Sequence, residues 1–360
     1  MNKFFKSLKI AVAALVLLSS CEHDNLEVPK PNENIRPAAD FIRNNYDFRL
    51  FYAALEYTGL VNELNAPGPV TVLAVPDNGW NALGVNTEQQ VRNLNKDSLR
   101  QALQYHVLKN RRWITTEFAT NGVDVRLETL AGENVYVSAV NKNNDYFFGG
   151  ARIARKDITL ANGVMQVMNK FMQYHKGKTV QDYLAATPEF SLFVTGLKKF
   201  GLWDELADKG PFTIFAPDND AFAAKGITAE TINNLNVDLF HAQRLFGAYI
   251  IYQSHFFVSD QYVFKSLGAE YSYPYTLRND TWYVNFGTSL QRTNPSDIYF
   301  TPYPELTFFK PTPGGLPEVI GMVTQTSYMP KPLVWYDHLC ENGIVHRLHG
   351  LLSLPADAGK

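Results

Sequence analysis

The chain repeats itself. Residues 40–84 align with residues 182–226 at a constant shift of 142, without a gap, and 15 of these 45 positions are identical. Leu50, Phe51, Leu55, Gly59, Leu60, Glu63 and Leu64 return as Leu192, Phe193, Leu197, Gly201, Leu202, Glu205 and Leu206. Gly68-Pro69-x-Thr71 returns as Gly210-Pro211-x-Thr213. Solenoids repeat every ~20–50 residues, so a period of 142 is the length of a domain and not of a stacking unit. The 360 residues, 46% hydrophobic and 19% charged, are enough for two globular cores. Whatever the chain folds into, it does so twice.

Each copy opens with apolar residues at helical spacing. In the second, Val180, Tyr183 and Leu184 begin the pattern and Phe190, Phe193, Leu197, Leu202 and Leu206 continue it. Gly59 and Gly201 fall where a helix should stop, since glycine accepts the left-handed cap conformation. A short second helix is expected over Leu60 to Leu64 and over Leu202 to Leu206. Gly-Pro then marks a turn, followed by an apolar strand at Val70 to Val75 and at Phe212 to Ala216. Pro-Asp-Asn next reads as a turn and a helix cap, with Asp220 as the capping residue and Asn78 in its place in copy one. Alternating stretches such as Val123 to Leu130 and Asn134 to Val140 suit strands. Each copy closes on Asn-Gly and a strand, at Asn162-Gly163 and Asn342-Gly343. Helices lead and strands follow, so the fold class is α+β with a mostly antiparallel sheet.

These motifs carry a resemblance. Thr213-Ile214-Phe215-Ala216-Pro217-Asp218-Asn219-Asp220-Ala221-Phe222 is similar to the first signature of fasciclin-like domains, roughly TVFAPTNDAF. Tyr105-His106-Val107-Leu108 resembles the second signature, and Asn342-Gly343-Ile344-Val345-His346 the closing strand. The resemblance implies two tandem fasciclin-like domains, at 38–175 and 178–356, each a β-sandwich wedge with helices packed on one side. Both copies depart from it. Gln166 stands at the closing histidine position of copy one, and Tyr249 replaces the second-signature histidine in copy two. Each copy keeps one histidine of two, so His106 and His346 do not pair as catalysts. The offset between copies grows from 142 to 180, an excess of about 38 residues placed near 265–320. It is expected to hold extra strands with aromatic packing.

The N-terminus reads as an address. Lys3, Lys6 and Lys9 flank the apolar run Ile10 to Leu18, far short of the ~20 residues that span a bilayer. Leu18-Ser19-Ser20-Cys21 resembles a bacterial lipobox, so residues 1–20 are expected to be a lipoprotein signal peptide and Cys21 the lipidated residue. Residues 21–37, with Pro29, Pro31 and Pro37 among acidic residues and few large apolar ones, read as a flexible tether. Glu22, Asp24 and Glu27 resemble the export signal of Bacteroidetes surface lipoproteins. The expected location is therefore the outer membrane, lipid-anchored and surface-exposed, with a periplasm-facing anchor as the alternative.

The chemistry motifs are sparse. GxSxG, HExxH, P-loop and GxGxxG patterns do not occur. Asp218-Asn219-Asp220 lacks the glycine and glutamate of a calcium loop, having Ala223 and Ala229 there. His346-x-x-His349 on a strand would point to opposite faces, so His346 is read as a hydrogen-bonded core histidine. Cys340, left without a partner if Cys21 carries lipid, is read as a small buried hydrophobe. Asp97-Ser98-Leu99 fits a loose Bacteroidetes O-glycosylation pattern. No enzyme activity, catalytic residue, metal or cofactor is expected. The net charge of −2, without long Lys/Arg runs, gives no footprint for nucleic acid.

The remaining candidates are aromatic. Tyr271, Tyr273, Tyr275, Trp282 and Tyr283 form a candidate binding set, read either as core or as a face that stacks on a ligand. The resemblance implies an adhesion or interaction module whose partner is an outer-membrane or extracellular protein, as an accessory to a TonB-dependent uptake system. The alternative is a lipoprotein that binds a glycan or peptide through the aromatic insertion.

Overall fold

Gly59 and Gly201 end the first long helix of each copy in the same way. Both are left-handed, with φ of 74° and 70°. After helix Arg49–Thr58, Gly59 N–H donates to Glu56 and Leu60 N–H to Leu55. After helix Ser191–Lys199, Gly201 donates to Lys198 and Leu202 to Leu197. This is the paired terminus that satisfies two orphan carbonyls at once. The computed structural model describes residues 35–117, 122–140, 144–268, 272–289, 303–324 and 335–360. Arg36–Lys360 form one compact unit. Cys21, the tether residues before Ile35, and Tyr271 lie outside the described residues, as does the side chain of Tyr273. Among the described residues, no helix is long and apolar enough to cross a membrane.

The helical stretch of copy two is broken where the sequence pattern ran on. Helix Val180–Ala186 stops before Thr187-Pro188, one 3-10 turn follows at Pro188–Phe190, and only then does the long helix begin. The residue before a proline is driven out of the helical region. The short second helix is Val61–Asn65 in copy one but a single 3-10 turn, Asp204–Ala207, in copy two. The helix cap was misplaced by two residues. Asp218, not Asp220, caps helix Asn219–Ala223, accepting from Ala221 N–H at 2.9 Å. Its counterpart in copy one is Pro76, which provides no side-chain cap to helix Asp77–Ala82.

In the first repeat the strands are β1 (Val70–Ala74), β2 (Val107–Leu108), β3 (Gly122–Glu128), β4 (Asn134–Val140), β5 (Asp145–Phe148), β6 (Ala151–Leu160) and β7 (Gly163–Met168). They make one seven-stranded sheet, in the order β2-β1-β7-β6-β5-β4-β3, and its two halves share one apolar core. β8 (Gln173–His175) follows. In the second repeat come β9 (Phe212–Pro217), β10 (Ile250–Tyr252), β11 (Ser272–Thr276), β12 (Tyr283–Ser289), β13 (Tyr303–Lys310), β14 (Glu318–Thr324), β15 (His338–Cys340) and β16 (Gly343–Leu348). Here the sheet is split into β10-β9-β16-β15-β8 and β11-β12-β13-β14. The two sheets meet where Phe215 on β9 lies 4.7 Å from Phe286 on β12. Among the described residues the meander β11 to β14 follows the order of β3 to β6, and β14 with β15 stands where copy one has the single long strand β6. Part of the excess length goes into helix Val258–Ser266, which stands where copy one has a 3-10 turn at Thr115–Glu117, and residues 290–302 and 325–334 lie outside the described residues.

The two repeats are joined by more than a linker. β8, at the end of the first repeat, runs parallel to β15 inside the sheet of the second. Helix Val258–Ser266 packs on β3 and β4. From it, the buried Asp260 accepts from the Ser138 hydroxyl and Tyr262 donates to Asp145 at 2.5 Å, while Arg152 holds the same Asp145 at 2.6 Å. Lys170 and Asp337, both nearly inaccessible, pair at 2.5 Å. Val140, Phe147, Tyr262 and Val263 form an apolar cluster across this joint.

Candidate functional site

The geometry of the signature residues decides what they do. His106 is fully buried. Its Nδ1 donates to Ala102 O at 2.8 Å and its Nε2 accepts from Met172 N–H at 3.0 Å. Burial lowers its pKa to about 4, against a small opposing effect of the Ala102 carbonyl. In copy two the Tyr249 hydroxyl accepts the N–H of Leu352 at 2.8 Å. Met172 and Leu352 are 180 residues apart, the offset of the closing strands, so Tyr249 does the work of the missing histidine.

The closing position behaves likewise. His346 Nε2 donates to Phe256 O at 2.8 Å, and Nδ1 accepts from Asp337 N–H at 3.0 Å. In copy one Gln166 Nε2 donates to Trp113 O at 3.1 Å, and Oε1 accepts from Asp157 N–H at 2.8 Å. Asp157 and Asp337 are both left-handed, with φ of 55° and 69°. Each accepts from the start of the segment it faces, Thr115 N–H at 3.0 Å and Val258 N–H at 2.9 Å. Burial pushes the Asp337 carboxyl up, but Lys170, His346 and the Val258 N–H outweigh it and hold the group below the usual carboxylate range. The four positions form a hydrogen-bond frame that pins the loop after β2 or β10 to the closing strand. His346 is a core histidine, as its context in the sequence suggested.

The open surface with most converging chemistry surrounds the Gly210-Pro211 turn. Pro211 borders three adjoining recesses of about 590, 270 and 520 Å³. The largest lies between β10 and β11, walled by Phe212, Tyr252, Gln253, Pro274, Tyr275 and Arg278. Glu205 accepts from the Tyr252 hydroxyl at 2.7 Å and pairs with Arg278, whose guanidinium lies 5.3 Å from the Tyr252 ring. Burial, and then Glu205, raise the Tyr252 phenol far above its ordinary pKa, so it stays a neutral donor. The other two recesses run into the joint between repeats. There Arg126 sits over the Tyr136 ring at 5.4 Å and pairs with Asp124 at 3.0 Å, and His255 meets the ring edge at 4.9 Å. Burial lowers the His255 pKa against the pull of Asp124. This groove offers aromatic faces, paired charges and neutral hydrogen-bond groups.

The family model for the fasciclin domain matches residues 46–174 and 188–296, together more than half of the chain. The chain belongs to the fasciclin-domain family. It is 28% identical to human periostin over 176 residues, 48% of this chain and 19% of that protein. It is 27% identical over 174 residues to the transforming growth factor-beta-induced protein ig-h3 of Sus scrofa, 48% of this chain and 24% of that one. It thus spans less than a quarter of the first curated relatives it matches. Protein sll1483 of Synechocystis is 26% identical over 165 residues, 46% of this chain and 88% of that protein. Among solved structures, the FAS1 domain pair of the insect cell adhesion molecule fasciclin I matches with a TM-score of 0.35 at 16% identity, covering 87% of this chain and 99% of that one. The second family match ends before β16, yet β16 lies beside β9 in that fasciclin domain's own sheet.

Three of the five aromatic candidates of the second fasciclin domain have described side chains, Tyr275, Trp282 and Tyr283. Tyr275 lines the largest recess, half-buried, with its hydroxyl accepting from Gln261 Nε2 at 3.1 Å. Trp282 is buried in the core, its ring 4.2 Å from the Arg244 guanidinium and 5.3 Å from Phe308. Tyr283 stacks on Phe309 at 5.2 Å. Sequence reading missed Tyr252, Glu205 and Arg278, which are far apart in sequence and meet only through the turn before β9, the end of β10 and the end of β11. It missed Arg126 and Tyr136 because they belong to the other domain.

Asp218, Asp220 and His349 bring potential metal-ligand atoms within 4.8 Å of one another. The buried Asp218 carboxylate, however, is already bonded to Ala221 N–H, to Arg347 at 2.8 Å and to His349 at 2.8 Å. Those are the bonds of a helix cap and an ion pair. Cys340 is buried, and burial pushes its thiol up to about 12, so it is unreactive at neutral pH. Ser98 is exposed in the first turn of helix Lys96–Tyr105, where its N–H is held by Asn95.

Proposed function

We propose that this chain is a non-catalytic adhesion or interaction protein, held at the outer membrane by a lipid on Cys21, that binds a protein partner at the cell surface. The observation that carries this reading is membership of the fasciclin family in both halves of the chain. The resemblance to that family implies extracellular interaction modules. The signature histidines support the non-catalytic part, since His106 and His346 are buried and spend both ring nitrogens on structural bonds. The lipobox-like Leu18-Ser19-Ser20-Cys21 and the acidic residues after it support a surface anchor. An accessory role beside a TonB-dependent transporter is the finer form of the same reading.

Three experiments test it. Cys21→Ser should move the protein from the membrane fraction to the soluble fraction, and protease added to intact cells should degrade the wild type. Affinity capture of the lipidated chain, at native expression, from detergent-solubilised outer membrane should recover a stoichiometric partner. Recovery of the lipoprotein alone overturns the interaction reading. The alternative, a glycan- or peptide-binding lipoprotein, is favoured by one observation: Tyr275 and Tyr252 share the largest recess with Glu205 and Arg278.

A further inference from the structure

β8 and β15 bring two histidines together at the joint between the repeats. The strands run parallel, with Gln173 beside His338 and His175 beside Cys340. Residues two apart in a strand share a face, so these four side chains lie on one side of the sheet. There His175 Nε2 and His338 Nδ1 stand 3.1 Å apart, although 163 positions separate them along the chain. Tyr183, on helix Val180–Ala186, lies against both rings, its centroid 4.5 Å from that of His175 and 4.9 Å from that of His338. Both histidines are half-buried, so solvent reaches the pair. In the first repeat Ile158 stands at the position of His338, at the same offset that relates Asp157 to Asp337. The pair therefore belongs to the joint and not to the repeat.

We propose that His175 and His338 bind one divalent transition-metal ion, which clips β8 to β15. Two imidazoles on such an ion, each at ~2.0–2.1 Å, hold their nitrogens ~2.9–3.4 Å apart for angles between square and tetrahedral. The observed 3.1 Å falls inside that range, so loading turns the rings about their side-chain bonds and leaves the strands in place. Without an ion, the facing nitrogens carry one hydrogen between them, donated by one ring to the lone pair of the other. On loading, that hydrogen moves to the far nitrogen of its own ring, and both facing nitrogens offer lone pairs. The surrounding charge is mixed, since Lys178 acts on His175 while Glu341 and Asp182 act on the neighbouring Cys340. Selection therefore rests on the imidazoles, which favour zinc, copper and nickel over the oxygen-seeking calcium and magnesium. Among the described residues no third His, Cys, Asp or Glu atom closes on both nitrogens, so water fills the remaining positions. β8 ends the first repeat and β15 lies in the sheet of the second, so an ion held by both strands stabilises the joint. This inference is independent of the adhesion reading.

The test titrates the full chain in detergent with Zn²⁺, Ni²⁺ and Cu²⁺, beside Mg²⁺ and Ca²⁺. Zn²⁺ and Ni²⁺ should raise the urea midpoint, and Mg²⁺ and Ca²⁺ should not. The paramagnetic resonance spectrum of bound Cu²⁺ should show splitting from two imidazole nitrogens. His175→Gln and His338→Gln each remove one ligand and keep a polar group at the joint. Each should weaken Zn²⁺ at least tenfold and abolish the midpoint shift. His349→Gln, which alters the Asp218-Asp220-His349 group instead, should bind as the wild type does. If a ligand variant fails to fold, imidazole nitrogen-15 spectra of the wild type decide. Zn²⁺ should move the signals of His175 and His338 and leave those of the buried His106 and His346 in place. Binding that survives both ligand variants, binding lost with His349→Gln, unmoved His175 and His338 signals, or no binding of any of the three transition ions each overturns the proposal.

Discussion

At the scale of single residues, the two signature histidines and their replacements make one point. His346 and Gln166 bond equivalent pairs of backbone groups, Phe256 O with Asp337 N–H and Trp113 O with Asp157 N–H, each through one donor and one acceptor. A position where imidazole and carboxamide interchange is selected for hydrogen-bond geometry and not for proton transfer. His346→Gln should therefore cost under about 1.5 kcal/mol, whereas His346→Leu leaves the Asp337 N–H and the Phe256 carbonyl without partners and should cost about 2–4 kcal/mol. Urea unfolding of the two variants checks this, and equal losses would show that shape alone matters there. Tyr249→Phe strips the acceptor from Leu352 N–H, and the same assay should read a loss of about 1–2 kcal/mol.

At the scale of elements, the closing Asn-Gly of each domain works as a staple. Asn342 accepts from Val180 N–H and donates to Leu206 O and Asp208 O, and Asn162 does the same with Ala38, Leu64 and Ala66. The glycine beside it lets two strands approach, because a Cβ on Gly343 would collide with the Phe212 backbone and one on Gly163 with that of Val70. Gly343→Ala should destabilise by about 1–3 kcal/mol through that overlap. By contrast Gly226→Ala, with open space around it and only φ +69° to resist, should lose about 1–2 kcal/mol through the left-handed backbone alone. A structure of Gly343→Ala should show β9 and β16 displaced, and unchanged strand spacing would refute the steric account. Elements of this local kind were legible in the sequence. Gly59 and Gly201 announce a cap because the requirement sits on one residue, and Asn-Gly announces a turn before a strand. The capping aspartate was not legible, because Asp218, Asn219 and Asp220 are equally good caps and only the phase of the backbone chooses among them. The groove was not legible either. Its walls come from β3, β4, β10, β11 and the turn before β9, and no spacing along the chain places Tyr136 beside His255 or Arg278 beside Glu205.

At the scale of the molecule, the joint between domains carries an acid-base prediction. Lys170→Met strands the buried Asp337 carboxylate and should cost about 3–5 kcal/mol. Asp260 is subtler. Burial, against the bonds from Ser138 and Phe257 N–H, pushes its carboxyl up to about 7, while burial lowers His106 and His175 to about 4. These groups oppose one another. Between pH ~4 and ~6.5 the unfolded chain protonates histidines that the folded chain keeps neutral, so their contribution to stability is lost as pH falls through that window. Over pH ~4 to ~7 the folded chain keeps a proton on Asp260 that the unfolded chain releases, so its contribution is lost as pH rises. Asp260→Asn keeps an acceptor for the Phe257 N–H and reverses the Ser138 bond, its amide N–H donating to the hydroxyl oxygen, and it removes the titration. Stability of this variant should rise with pH more steeply than that of the wild type between pH ~4.5 and ~6.5, by up to about 1.4 kcal/mol per pH unit, the slope of one proton. Parallel slopes in urea unfolding across that range would mean that Asp260 is ionised in the folded protein, and that the domains are held by a charge at Ser138 and not by a shared proton.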